Sequence, residues 1–278
     1  MILLENVSKS FKGRTVLEAV NMRVDAGELV AYLGPNGAGK TTTIRLIAGQ
    51  LLPDGGTIKI SDFDLRRDSL KAKKMSGLVN QHFSLDAELT VRQNLDLHGR
   101  LFGMGRAGRH EAIENALRYV EIWDKADRII RHLSGGEKRR VMIARALMHN
   151  PRVILLDEPS VGLDPAIRRR TWALIRKVKE SGVTVLLTTH YIEEAEFLAD
   201  RVIFINKGRI VKEGRPETLM AEVGQWAVDA ADNGELFTSY FHSRDEAMAF
   251  IAHRESLTIR RVNLEDAYLK VTGSKIEN

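Results

Sequence analysis

Cysteine is absent from this chain, which excludes disulfides and thiolate metal centres and makes a reducing cytoplasmic setting natural. Long apolar runs are missing too, because charged residues interrupt each hydrophobic stretch well before the length of a bilayer-spanning helix. The first residues lack the basic start and long apolar core of a secretory signal, so none is expected. No internal duplication or low-complexity linker is evident; the Gly and Pro clusters punctuate turns. A strong excess of one sign of charge is absent as well. A formal excess of +5 suits an anionic membrane surface without defining a lipid or nucleic-acid site. What remains is a composition 44% hydrophobic and 28% charged, and a length that fits one sizeable domain with a smaller appendage.

The most informative segment is Gly34-Pro35-Asn36-Gly37-Ala38-Gly39-Lys40-Thr41, which follows the apolar, strand-like run Leu29 to Leu33 and precedes a helix-compatible segment. Glycines permit a tight turn, and the backbone amides and positive helix end that follow can surround phosphate. Lys40 adds a mobile point charge, and Thr41 can supply an oxygen to magnesium. An ordinary glycine turn with a solvated lysine is the bland alternative, and the strand, turn and helix context argues against it.

A second apolar strand, Val153 to Asp157, delivers Asp157 and Glu158 to its carboxyl end, where parallel sheets place ligands. Asp157 is expected to support magnesium through water, and Glu158 stands where a carboxylate can orient an attacking water. Alone, two acids in a turn could merely cap a helix; paired with the lysine loop they read as chemistry.

Between these segments lies Leu133-Ser134-Gly135-Gly136-Glu137, and with it the chain resembles the nucleotide-binding subunit of ATP-binding cassette (ABC) transporters. Taken alone, this segment reads at least as well as a mere helix cap with a glycine turn as it does as an anion contact. The resemblance covers residues 2 to 215 and rests on an ordered set of motifs. It implies an α/β P-loop NTPase of ABC type with an antiparallel β subdomain and a helical subdomain at about 85–147. It further implies that Ser134, Gly135 and Gly136 contact the γ-phosphate held by an opposing subunit. Gln81 matches the lid glutamine that approaches magnesium, Asp164 the loop that crosses the dimer interface, and His190 the switch histidine near the γ-phosphate. Phe11 matches the aromatic residue that stacks on adenine.

The expected cofactors are therefore ATP and Mg²⁺. The nucleotide contacts would be Phe11, Gly34, Pro35, Asn36, Gly37, Ala38, Gly39, Lys40, Thr41 and Thr42, with Gln81, Ser134, Gly135, Gly136 and Asp164. Thr41, Gln81 and Asp157 would hold the metal, and Glu158, His190 and Lys40 would serve catalysis. One departure from the wider family is Arg139-Arg140 in place of a glutamine-arginine pair, which is expected to add charge near an interdomain surface without abolishing hydrolysis.

With no spanning segment of its own, such a subunit would need a separate multispanning permease. A second nucleotide-binding subunit, expected as a homodimer, and a peripheral place on the cytoplasmic face of the membrane follow from the same resemblance. Residues 216–278 read as a small C-terminal α+β extension, with strands at Trp226 to Ala230, Phe237 to Phe241 and Ser256 to Val262. A capping box at Ser243 and Glu246 would start one helix, and Leu264 to Leu269 resembles the last amphipathic helix of exporter cassettes. The tail and the Leu78 to Met104 region look like exporters of drugs, polysaccharides or other hydrophobic cargo. A soluble ABC ATPase in nucleic-acid or ribosome-associated machinery is the alternative. It is disfavoured because no basic groove is evident, and Arg168-Arg169-Arg170 reads as a solvated helix face.

Overall fold

Three sheets organise the chain in a computed structural model that describes residues 1–232, 235–251 and 257–273. The central one has six strands, in the order Arg209–Gly214, Arg201–Asn206, Leu29–Leu33, Thr184–Thr189, Val153–Asp157 and Ser76–Val79. Leu29–Leu33, Thr184–Thr189 and Val153–Asp157 consist largely of Val, Ile, Leu and Thr and are buried along their whole length, as strands covered on both faces must be. All neighbours pair in parallel except the edge strand Arg209–Gly214. Leu33 lies beside Thr189, and Asp157 beside Thr188, so the ends carrying the phosphate loop, the acids and His190 lie together.

A four-stranded antiparallel sheet, in the order Arg14–Val24, Ile2–Phe11, Gly55–Ile60 and Phe63–Asp64, lies beside this layer. Its buried Ile2, Leu4, Leu17 and Val20 share a core with Val30 and Tyr32 of the central sheet and Ile44 and Ile47 of the first helix. The first strand runs from Ile2 to Phe11. The turn is only Lys12-Gly13, both with positive φ (47° and 79°), which suits the twist of a two-residue hairpin. The helix after the phosphate loop spans Lys40–Ile47 and ends there because Gly49 takes a φ of +64° that breaks the spiral.

The 85–147 stretch contains the helices Val91–Leu101, Arg106–Tyr119 and Gly135–Leu147. Ile113, Leu117, Val120 and Ile122 enter the core as their spacing predicts. In the helix Val91–Leu101, Leu95 is fully buried. Leu97 and Leu101 are 49% and 78% exposed, since they lie on the opposite helix face. Val91 at the start of the first of these helices is wholly buried.

The C-terminal sheet has the order Glu235–Phe241, Trp226–Asp232 and Leu257–Arg261. Ser243 and Glu246 form the expected reciprocal cap before the helix Arg244–Ile251. Ser256 lies outside the described residues. The helix Leu264–Thr272 starts on a capping box of Asn263 and Asp266 and buries Tyr268 edge-on against Phe204. Among the described residues no helix is long and apolar enough to cross a membrane.

Candidate active site

The phosphate loop is shaped by what surrounds it. A methyl group added at Gly34 would lie 2.3 Å from the Ile205 carbonyl oxygen, so the loop leaves the strand at a point with no room for a side chain. Gly37 and Gly39 take φ values of 79° and 110°, in the region that glycine enters freely. Gly39 caps the helix Lys40–Ile47 with no side-chain hydrogen bond to the first turn, leaving its leading amides for an anion. Lys40, 4% exposed, donates from Nζ to the carbonyl oxygens of Gly34 (2.7 Å) and Pro35 (3.1 Å). Burial lowers its pKa, opposed by nearby Glu158, whose Oε1 is 3.4 Å from Nζ.

Glu158 faces this lysine because its backbone turns sharply at the strand end, with a φ of +47° that costs about 1–3 kcal/mol for a non-glycine residue. Thr188 accepts its N–H through both the backbone oxygen and Oγ1, each at 3.1 Å. Glu158 Oε2 accepts a hydrogen bond from Gln81 Nε2 at 3.2 Å and lies 3.3 Å from His190 Nδ1, at an angle too poor for a hydrogen bond. Burial pushes the Glu158 pKa up, but the contact with His190 and the Lys40 charge outweigh it and hold the carboxyl below its ordinary value. Such a carboxylate is ionised at neutral pH and can orient a water.

Asp157 Oδ1 accepts from Thr188 Oγ1 at 2.7 Å and from Thr41 Oγ1 at 3.2 Å. Burial raises its pKa, opposed by these two hydroxyls. The Thr41 hydroxyl, the Asp157 carboxylate and the Gln81 amide are hard oxygen donors suited to Mg²⁺. A cleft of about 500 Å³ is lined by Asn36, Gly37, Gly39, Lys40, Thr41, Thr42, Gln81 and Glu158. Asp157 lines an adjoining recess that shares Gln81.

Other expected residues lie elsewhere. Phe11 is 42% exposed and does not line the cleft, although Arg14, its partner across the hairpin, does. Ser134 caps its own helix, accepting from Glu137 N while Glu137 accepts from Ser134 N. Gly136 packs against Ile167, whereas Gly135 is exposed with nothing nearer than 4.0 Å to an added methyl. Asp164 is exposed and caps the helix Pro165–Glu180 through Ala166 N and Ile167 N.

The expectation that Arg139 adds surface charge is overturned. It is 1% exposed and donates to the carbonyl oxygens of Asn80 (2.8 Å) and Gln81 (3.0 Å), because the turn after Ser76–Val79 leaves those acceptors facing the helix. Arg140 reaches the Glu121 carbonyl instead.

Two groups escaped the sequence reading. Lys207 lines the cleft from a hairpin turn whose Gly208 N–H donates to Ala38 O, and a Lys-Gly turn gives no hint of that distant neighbour. Glu194 is fully buried. It accepts from Ser160 Oγ and from Trp172 Nε1 (2.8 Å), joining the segment after Glu158 to the helix after His190. Burial raises its pKa, with Ser160 opposing. The adjacent acids Glu193 and Glu194 were the only signal. A larger groove of about 830 Å³, bordered by Phe102, Met104, Met148 and His149, carries no phosphate-binding feature.

A loop with free helix amides, a buried lysine and a strand-end carboxylate beside a histidine define a nucleotide hydrolase of the cassette type. Residues 17–161 match the model of the family described as ABC transporter, and the chain belongs to that family. It is 37% identical to the Nod factor export ATP-binding protein I of Burkholderia lata, covering 98% of this chain and 97% of that protein. The namesake protein of Paraburkholderia xenovorans is 36% identical over 100% of this chain and 98% of its own length. Among solved structures, an ATP-binding subunit of an ABC transporter superposes with a TM-score of 0.72 at 29% identity, over 80% of this chain and 92% of its own. A dimeric ATP-binding cassette in a post-hydrolysis state bound to ADP and Pi gives 0.70 at 31% identity, over 77% and 98%. The chain is thus the ATP-binding and ATP-hydrolysing subunit of an exporter-type ABC transporter, a magnesium-dependent ATPase. Subunits of this family pair with a membrane permease and with a second nucleotide-binding subunit.

Proposed function

We propose that two copies of this chain close on two ATP molecules and drive outward transport through a separate multispanning permease, from the cytoplasmic face of the membrane. The observation that carries this reading is the meeting of Lys40, Gln81 and Glu158 at one cleft beside an uncapped helix end, with His190 3.3 Å from the Glu158 carboxylate. Residues 1–215 would form the ATPase, with its helical part at about 85–147, and residues 216–278 an accessory unit. The relatives' names support export. The cargo class would be drugs, polysaccharides or other hydrophobic molecules.

In the cycle, the backbone N–H groups of Asn36 to Thr42 and the Lys40 ammonium hold the phosphates, and Phe11 offers its exposed ring to adenine. On arrival of nucleotide, Lys40 exchanges the Gly34 and Pro35 carbonyls for phosphate oxygens. Thr41, Gln81 and Asp157 would hold Mg²⁺, which when bound neutralises phosphate charge. Ser134, Gly135 and Gly136 of the facing copy cover the phosphate tail, and Asp164 lies at the contact between copies. Glu158 orients the attacking water and accepts its proton, while His190 steadies that geometry and Lys40 stabilises charge on the transferred group.

The test is Mg²⁺-dependent ATP hydrolysis by the chain purified with its membrane neighbours, beside Glu158→Gln, with the neighbours identified by mass spectrometry. A multispanning partner and Glu158-dependent turnover are expected. Hydrolysis stimulated by nucleic acid, with no membrane partner, would overturn the transport assignment.

A further inference from the structure

Arg139 is a buried cation that the cycle above does not use. Taking a guanidinium out of water costs several kcal/mol, and a leucine or methionine would fill the space without that cost. Its charge meets Asp157 and Glu194 only at longer range, the Phe83 ring lies 5.5 Å from its Cζ, and its Nε has no partner. What it does hold are two successive backbone carbonyls, those of Asn80 and Gln81, one on each terminal nitrogen. The flat fork of a guanidinium fits two adjacent acceptors as an ammonium cannot.

The positions of its two ends matter. Arg139 lies about one turn into the helix Gly135–Leu147, whose exposed tip is Ser134 and Gly135. One turn of α-helix is rigid, so tip and guanidinium move together. Across the tether, the Gln81 side chain donates to Glu158 Oε2. Arg139 and Gln81 therefore connect the helix end to the carboxylate in the cleft.

We infer that Arg139 is a positioning residue: it transmits the placement of the Ser134 to Gly136 helix end to the Gln81 loop, and so sets the Gln81 amide against Glu158. This rests on the nucleotide-sandwich reading above and adds a regulation to it. Nucleotide engaged at the helix tip by the facing copy tunes water activation in this copy's own cleft, so the two sites turn over interdependently.

The test uses the full chain and compares Arg139→Met, of similar length without donors, with Arg139→Lys, which keeps the charge and loses the fork. Steady-state hydrolysis is measured against Mg-ATP concentration, alongside Mg-ATP binding and hydrogen exchange of a peptide spanning 78–84. Arg139→Met is expected to lower kcat about tenfold, bring the Hill coefficient from above 1 to about 1, and leave Mg-ATP affinity within about twofold. Amide exchange in 78–84 should quicken, and Arg139→Lys should fall between. Wild-type kcat, Hill coefficient and loop exchange in folded Arg139→Met would overturn the assignment; so would a lowered Tm with unchanged kinetics, the mark of a packing role alone. If Arg139→Met does not fold, Arg139→Lys decides by the same readouts. Should wild type neither bind nor hydrolyse Mg-ATP, the nucleotide reading fails, and the exchange comparison still accepts or rejects the tether.

Discussion

Two helix amino ends carry glycine-rich motifs in this chain, and they are finished differently. The helix Lys40–Ile47 begins at Gly39 with no side-chain cap, and Lys40 folds back over the loop. The helix Gly135–Leu147 begins at Ser134 with a complete capping box, and Glu137 is also paired with Lys125. The first end has no side-chain partner for its leading amides, which leaves them open to an anion. The second is satisfied within the chain, so a phosphate reaching it from outside must compete with a cap worth about 1 kcal/mol. Similar residues thus leave one helix end open to an anion and close the other with its own side chains.

The largest effect should come from the cradle's chemistry. Glu158→Gln is expected to reduce steady-state ATP hydrolysis by about 10²–10⁴-fold while ATP binding persists, read by phosphate release beside a nucleotide titration. Wild-type turnover would remove Glu158 from the mechanism. Lys40→Ala should weaken Mg-ATP binding by about tenfold or more and stop turnover, at matched protein concentration because dimerisation raises apparent affinity.

Alanine at the two glycine motifs sharpens the contrast. Gly34→Ala must displace the Ile205 carbonyl and should cost about 3 kcal/mol in urea unfolding. Gly135→Ala has open space, so its stability should stay within about 0.5 kcal/mol of wild type, with hydrolysis falling through the obstructed contact between copies. Equal stability losses in the two variants would erase the distinction.

The smallest effect concerns the cap. The hydrogen bond from Lys125 and that from Ser134 N hold the Glu137 carboxyl down, from 4.5 to about 2. Its stabilisation is therefore complete above pH 4.5 and fades as pH falls toward about 2. Glu137→Gln should be less stable than wild type by about 1 kcal/mol at pH 7 after allowing for solvent screening, and the two should converge near the lower limit. A difference independent of pH would mean that the carboxylate charge contributes nothing.

Much of the fold was legible because its strands are short, apolar runs with charged or glycine-rich ends. Val153 to Asp157 and Leu29 to Leu33 read as buried strands since little else tolerates so many β-branched and leucine residues between polar boundaries. The cap at Ser243 and Glu246 was legible for the same local reason, the reciprocal reach of two side chains three residues apart. Arg139 was misread because an Arg-Arg pair carries no sign of which member faces inward. Leu97 and Leu101 are the opposite case, apolar residues that the helix turns outward.

By itself the amino-acid sequence determined the family, the phosphate loop, the acid pair and the order of the motifs, because each rests on residue types at short fixed spacings. The tertiary structure alone decided that Lys207 joins the cleft, that Glu194 ties Ser160 to Trp172, and that Arg139 holds the Gln81 loop from within. Those contacts join segments distant in sequence, and which side chain fills a buried space or meets a lone carbonyl is set by how the layers pack.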